Sequence, residues 1–125
     1  MNSPSYQVAP FIQVAFGGAL GAVARYGLGR LVAAPAGTLI VNVLGCFAMG
    51  LLAAGFAHRW DGHLAPLLLT GVLGGFTTFS AFSLDALTLF ERGQHGMAAG
   101  YVAASVALSL GAVFAGLMAG RGIFA

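Results

Sequence analysis

Charged side chains divide this sequence into four uncharged stretches, and each stretch is long enough to cross a lipid bilayer. Residues 1–24 carry no charge; Arg25 and Arg30 follow. Residues 31–58 are uncharged up to Arg59 and Asp61, and residues 62–84 up to Asp85, Glu91 and Arg92. Residues 93–120 are uncharged again, and Arg121 closes the run. Crossing about 30 Å of hydrocarbon takes roughly 20 apolar residues in a helix. The pattern predicts spans at about 8–30, 38–58, 64–90 and 97–121. Short loops separate them: Ala33-Ala34-Pro35-Ala36-Gly37, the polar stretch His58 to His63, and Glu91 to Gly96. Pro, Gly and charged residues suit such positions.

Composition excludes the soluble alternatives. Only 6% of the 125 residues are charged, and the mean hydropathy is +0.94, whereas a soluble domain is about 25% charged. So few polar groups cannot cover a water-facing surface, which argues against a soluble enzyme, a nucleic-acid binder or a disordered chain. Inside lipid every backbone group must be paired within the protein, so the spans are helices or barrel strands. Barrel strands alternate apolar and polar residues; runs such as Leu67-Leu68-Leu69 do not. The expectation is a single all-α membrane domain of four helices. No basic segment precedes the first apolar stretch, so no signal peptide is expected. Cys46 stands alone, without an intrachain disulfide or redox motif.

The charges give almost no preferred orientation. Arg59 and Arg121 fall on one side of the bilayer; Arg30 and Arg92 fall on the other, with Arg25 deeper. The positive-inside rule needs an asymmetry that this distribution lacks. Two readings remain: insertion one way on weak cues, or insertion both ways with head-to-tail pairing. The 20 glycines imply close helix contacts. Gly17-x-x-x-Gly21 and Gly116-x-x-x-Gly120 fit packing faces, either within the chain or between chains.

Polar residues inside a span are costly, and each is therefore a functional candidate. Arg25 can line a wet vestibule or snorkel to the interface. Asn42, with Thr38 one turn before it, can bond a neighbouring helix or offer a pore-lining amide. The third span holds Gly74-Gly75-Phe76-Thr77-Thr78-Phe79-Ser80-Ala81-Phe82-Ser83. Two glycines followed by two β-branched threonines make poor helix. That predicts a break near mid-span, whose freed carbonyls need protein, water or a cation. Phe79 and Phe82 point roughly the same way on the resumed helix, and Asp85 continues their stripe. Phenylalanines in a membrane are usually lipid-facing or core, yet a ring has a positive edge that attracts an anion. Asp85 can cap, pair with an arginine, or sit near the interface. Tyr101, Ser105 and Ser109 recur every four residues and form one polar stripe about 12 Å long. No paired carboxylates, metal-ligand histidine spacing, hydrolase constellation or phosphate loop is present.

Three segments, in order, carry a family resemblance. Gly17-Gly18-Ala19-Leu20-Gly21-Ala22-Val23-Ala24-Arg25-Tyr26, Gly37-Thr38-Leu39-Ile40-Val41-Asn42-Val43-Leu44-Gly45, and Gly74 through Ser83 resemble the three signatures of the Fluc (CrcB) fluoride channels. The likeness covers nearly the whole chain. It implies a fluoride-selective passive channel in a bacterial inner membrane, built as a dual-topology antiparallel homodimer with two anion pores. It implies a structural Na⁺ at the dimer centre, held by backbone carbonyls of Gly74 and Thr77 from both subunits. The implied pore residues are Phe79 and Phe82, with Asn42 as amide donor. Thr38 and Ser80 would be further lining, Tyr101, Ser105 and Ser109 the polar track, and Arg25 part of a vestibule. Two positions depart from the family pattern. Ala81 stands where relatives often carry Thr, and Asp85 where the acid is commonly Glu.

Two other functions are compatible with four small spans. A small multidrug exporter would need an intramembrane Glu in its first span, which this chain lacks. A noncatalytic scaffold or accessory subunit would use the glycine faces for packing and the polar stripe for a partner helix.

Overall fold

A computed structural model describes residues 4–125, with side chains from Val8 onward. Its helices are α1 (Pro4–Leu31), α2 (Ala36–His58), α3 (Pro66–Leu73 continuing through Gly74–Phe76), α4 (Phe79–Glu91) and α5 (His95–Phe124). Four helical segments are long and apolar enough to cross a membrane: Val8–Leu31, Ala36–His58, Gly62–Glu91 and His95–Phe124. The third of these contains both α3 and α4, with the helix interrupted between them.

The interruption lies at the threonines, not at the glycine pair. Gly74 keeps helical angles, φ −62° and ψ −37°. Thr77 and Thr78 are extended, with ψ 156° and φ −151° respectively. β-branched side chains favour that conformation over helix. Before the break, Pro66–Leu73 is wound as a π-helix, a local widening often found at functional sites.

The glycine motifs serve contacts within the chain. Gly17 and Gly21 face α3; a Cβ at Gly21 would run into the carbonyl oxygen of Val72. Gly116 and Gly120 face α2, and a Cβ at Gly116 would strike the carbonyl oxygen of Phe47. Two pairs result, α1 against α3 and α2 against α5, each with backbones in close approach. Trp60, in the turn after α2, packs on Phe56 at 5.3 Å and on Phe124 at 4.7 Å between ring centroids. This cluster ties the end of α5 to the turn at the level where aromatic rings favour the membrane interface.

The buried residues are few. Phe82, Leu89, Ala98 and Tyr101 form a small core between α4 and α5, with Leu39 and Ala86 packed against it. Large apolar side chains, including Phe11, Phe16, Phe79 and Phe114, are exposed on the isolated chain. In water that would be untenable; in lipid or against another protein surface it is the expected arrangement.

Candidate functional site

The break between α3 and α4 frees backbone groups that an unbroken helix would pair from residue i to i+4. Side chains from α1 and α2 take up several of them. The Asn42 side-chain amide donates to the Thr78 carbonyl at 2.9 Å. The Thr78 N–H in turn donates to the Asn42 amide oxygen at 2.8 Å. Arg25 Nε donates to the Gly75 carbonyl at 3.2 Å. Thr78 also caps α4, its hydroxyl accepting from the Ala81 N–H at 3.1 Å, as an N-cap threonine does. These bonds satisfy part of the backbone that the break leaves without helical partners.

Three carbonyls stay free, those of Gly74, Phe76 and Thr77. The natural partner of the Gly74 carbonyl is the Thr78 N–H, which goes to Asn42. The natural partner of the Thr77 carbonyl is the Ala81 N–H, which goes to the Thr78 hydroxyl. None of the three oxygens receives a hydrogen bond from the described residues. No cluster of three or more His, Cys, Asp or Glu side chains that could hold a metal occurs among the described residues. Free backbone oxygens are the donor type that a hard cation takes.

Beside the break, Asn42, Cys46, Thr77, Thr78, Phe79, Phe82, Ser105 and Ser109 are among the residues lining a cavity of about 320 Å³. Phe82 is buried at 9% exposure, whereas Phe79 is 78% exposed. Their ring centroids lie 5.4 Å apart with planes tilted by 53°. Phe82 also packs on Tyr101 at 5.4 Å. Ser105 is only 6% exposed, and its hydroxyl has no hydrogen-bond partner. A buried polar group left unpaired costs free energy unless water or a solute completes it. The cavity thus combines an amide, hydroxyls and aromatic edges.

The chain belongs to the CrcB-like family. The family model described as CrcB-like protein, Camphor Resistance (CrcB), matches residues 12–117. A protein of Paracoccus denitrificans (strain Pd 1222) named Fluoride-specific ion channel FluC is 65% identical over 120 residues, covering 92% of this chain and 97% of that protein. The FluC of Cereibacter sphaeroides (strain ATCC 17029 / ATH 2.4.9) is 58% identical over 121 residues, covering 92% and 97%. That of Rhizobium johnstonii (strain DSM 114642 / LMG 32736 / 3841) is 55% identical over 120 residues, covering 90% and 96%.

Within this CrcB chain the candidate residues divide into neighbouring groups. Asn42, Phe79, Phe82, Ser105 and Ser109 share the cavity just described. Thr38 and Arg25 line a second cavity of about 250 Å³ together with Arg30 and Thr78. Thr78 borders both cavities. The Thr38 hydroxyl donates to Asp85 Oδ2 at 2.7 Å, and the Tyr101 hydroxyl donates to the same oxygen at 3.2 Å. Ser80 is exposed, with its hydroxyl 3.3 Å from that of Thr78. Gly74 and Thr77 stand at the break itself.

Sequence reasoning singled out neither Thr78 nor Arg30 as a site residue. Thr78 had a usable signal, a hydroxyl residue immediately before a resumed apolar helix, which is the position an N-cap occupies. Arg30 was visible only as a loop charge; its place on the cavity that Arg25 also lines appears only in the fold. The partners of Asp85 are hydroxyls, an arrangement that spacing along the chain does not reveal.

Proposed function

We propose that this protein is a passive fluoride-selective channel that expels cytoplasmic fluoride through a bacterial inner membrane. The observation that carries the reading is the cavity where Asn42, Ser105 and Ser109 meet the rings of Phe79 and Phe82. Family membership and the FluC names of the relatives support it.

The mechanism follows from the cost of dehydration. Fluoride is small and strongly hydrated, so a pore must replace its water shell with donors as the ion enters. The amide of Asn42 retains an N–H beyond the one bound to Thr78. The hydroxyls of Ser105 and Ser109 supply further donors, and the ring edges of Phe79 and Phe82 carry partial positive charge. None of these groups holds a full charge, so an anion is attracted without being trapped. A narrow bore with fixed donors favours the small ion over chloride. Arg25 and Arg30 beside the second cavity raise anion concentration at its mouth. Thr38, Ser80 and Tyr101 extend the polar lining. Acid outside the cell lets HF cross lipid and ionise inside; an inside-negative potential then drives F⁻ out. This needs no ATP and no catalytic residue.

The working unit is an antiparallel homodimer with two pores. Support comes from the balanced arginines on the two sides and from Phe79, whose ring is 78% exposed on a single chain. A second copy would cover that ring and close the cavity wall. Na⁺ is the proposed structural ion at the dimer centre, held by the Gly74 and Thr77 carbonyls of both subunits. Their lack of hydrogen-bond partners fits such a hard cation, whose role is to tie the broken helices together.

The deciding experiment is efflux from liposomes containing purified protein, with F⁻ and Cl⁻ electrodes in parallel. Rapid F⁻ release without Cl⁻ release is expected. Release of neither ion from folded, dimeric protein would overturn the channel reading and favour a scaffold.

A further inference from the structure

The anion path leaves unused a cavity of about 530 Å³ at the turn between α2 and α3. Arg59, Trp60 and Asp61 line it from the turn itself, between the spans Ala36–His58 and Gly62–Glu91, which places them at the membrane surface. Leu52 and Phe56, one turn apart on α2, line it from within the second span. Leu64 and Leu68 line it from the start of the third. Charge at the surface with apolar walls below matches the two halves of a phospholipid. The turn is also held in shape. Trp60 packs on Phe56 and Phe124, and the Gln13 amide donates to the His63 carbonyl at 3.2 Å. Asp61 accepts the His63 N–H through Oδ1 at 2.9 Å, which leaves its other oxygen without a partner among the described residues. Arg59 and Asp61 form no ion pair among the described residues, although they share the cavity. One cation and one anion thus stand in the same mouth, each with bonding capacity to spare.

We propose that this cavity binds one phospholipid with a phosphoethanolamine headgroup. The guanidinium of Arg59 is a forked donor that suits phosphate oxygens. The free oxygen of Asp61 accepts from the primary ammonium, two carbons beyond the phosphate. The acyl chains lie along Leu52, Phe56, Leu64 and Leu68, where burial of their methylenes adds affinity without regard to the headgroup. Selectivity therefore comes from the two charges. A phosphoglycerol headgroup satisfies Arg59 but sets hydroxyls, not a cation, against Asp61. The zwitterion satisfies both. The site shares no residue with the two cavities of the anion path, so it stands whether or not the protein conducts fluoride.

The test is native mass spectrometry of the full-length protein, purified and delipidated in detergent, then titrated with phosphatidylethanolamine or phosphatidylglycerol of identical acyl chains. The expected result is one phosphatidylethanolamine per chain, bound at least about tenfold more tightly than phosphatidylglycerol. Asp61→Asn keeps the oxygen that caps the turn and removes only the charge. It should weaken phosphatidylethanolamine by about tenfold, to the level of phosphatidylglycerol. Arg59→Gln should weaken both lipids. A native melting midpoint in lipid-free detergent identifies each variant as folded. Equal affinity of the native protein for the two lipids would overturn the proposal, and that comparison needs no variant. An undiminished preference in folded Asp61→Asn would overturn it too. Binding of neither lipid by folded native protein would do the same, and would leave the apolar walls to a second copy of the chain.

Discussion

Asn42 holds the backbone of Thr78 at both ends, donating to its carbonyl and accepting from its N–H. One side chain on α2 thereby replaces the helical hydrogen bond lost by the Thr78 N–H and adds a donor to the carbonyl that opens α4. The residue is as much a splint for the extended segment as a lining group. Asn42→Asp keeps the acceptor and loses the donor, leaving the Thr78 carbonyl facing a carboxyl oxygen. An unsatisfied buried group costs about 1–3 kcal/mol. Asn42→Asp should lower the melting midpoint in detergent and reduce F⁻ efflux together. Efflux lost with an unchanged melting curve would show that Asn42 serves the ion alone.

The two phenylalanines should separate fold from flux. Phe79 is 78% exposed and Phe82 9% exposed. Phe79→Ile should leave the melting midpoint nearly unchanged while efflux drops by about tenfold or more, equivalent to about 1.4 kcal/mol at the barrier. Phe82→Ile repacks the core against Tyr101 and should cost about 1–3 kcal/mol of stability as well. Normal efflux from folded Phe79→Ile would remove its ring edge from the mechanism.

The architecture was readable wherever a physical cost leaves a mark in the residue pattern. Charge in lipid is expensive, so the gaps between Arg30, Arg59, Glu91 and Arg121 outline the spans. Thr77 and Thr78 are poor helix formers, so the interruption in the third span was legible. Its position was not, because Gly74-Gly75 sends the same signal for another reason. Glycine is tolerated within helix when a neighbouring backbone comes close, and Gly75 lies against the Gly18 carbonyl of α1. The partners of Asp85 were hidden too. Thr38 and Tyr101 are separated from it by 47 and 16 residues, and no local rule links a carboxyl to hydroxyls at those distances. Asn42 could be read as a polar group in need of a partner, but not as bound twice to the backbone of one residue.

Asp85 joins three helices through one oxygen. Thr38 on α2 donates at 2.7 Å and Tyr101 on α5 at 3.2 Å. Thr38→Val should cost more stability than Tyr101→Phe, since its bond is shorter; a buried partner left unsatisfied costs about 1–3 kcal/mol. Because both donors share an acceptor, the double variant should lose measurably less or more than the sum of the two single losses. Thermal unfolding of the four proteins in a double-mutant cycle measures this. Simple additivity would mean that the two bonds act independently.

Glycine substitution tests whether the α2–α5 contact is as close as the structure places it. A Cβ at Gly116 meets the Phe47 carbonyl, while one at Gly111 meets nothing within 4 Å on the same chain. Gly116→Ala should destabilise by about 1–3 kcal/mol through overpacking. Gly111→Ala should be neutral or stabilising, because alanine is the better helix former by about 1 kcal/mol. Melting curves compare the two directly. Equal behaviour would mean that α2 and α5 stand further apart. A selective loss of dimer in Gly111→Ala, seen by size exclusion, would instead place the open side of α5 at the subunit contact.

The free carbonyls at the break give the proposed ion a measurable signature. An ion bound only by the folded protein stabilises it by mass action, by about 2.7 kcal/mol at a concentration 100 times its dissociation constant. Replacing Na⁺ by N-methylglucamine, too large for a site made of Gly74 and Thr77 oxygens, should therefore lower the melting midpoint of the purified protein. Efflux should fall with it, and added Na⁺ should restore both with a saturating dependence. The carbonyls belong to the backbone, so side-chain variants cannot delete them. Asn42→Ala acts on them indirectly, by removing the acceptor of the Thr78 N–H and leaving it free to return to the Gly74 carbonyl. That variant should need more Na⁺ for the same stabilisation. An unchanged Na⁺ dependence in Asn42→Ala, alongside a clear dependence in the native protein, would place the cation elsewhere. No Na⁺ dependence in either would mean that water completes these oxygens.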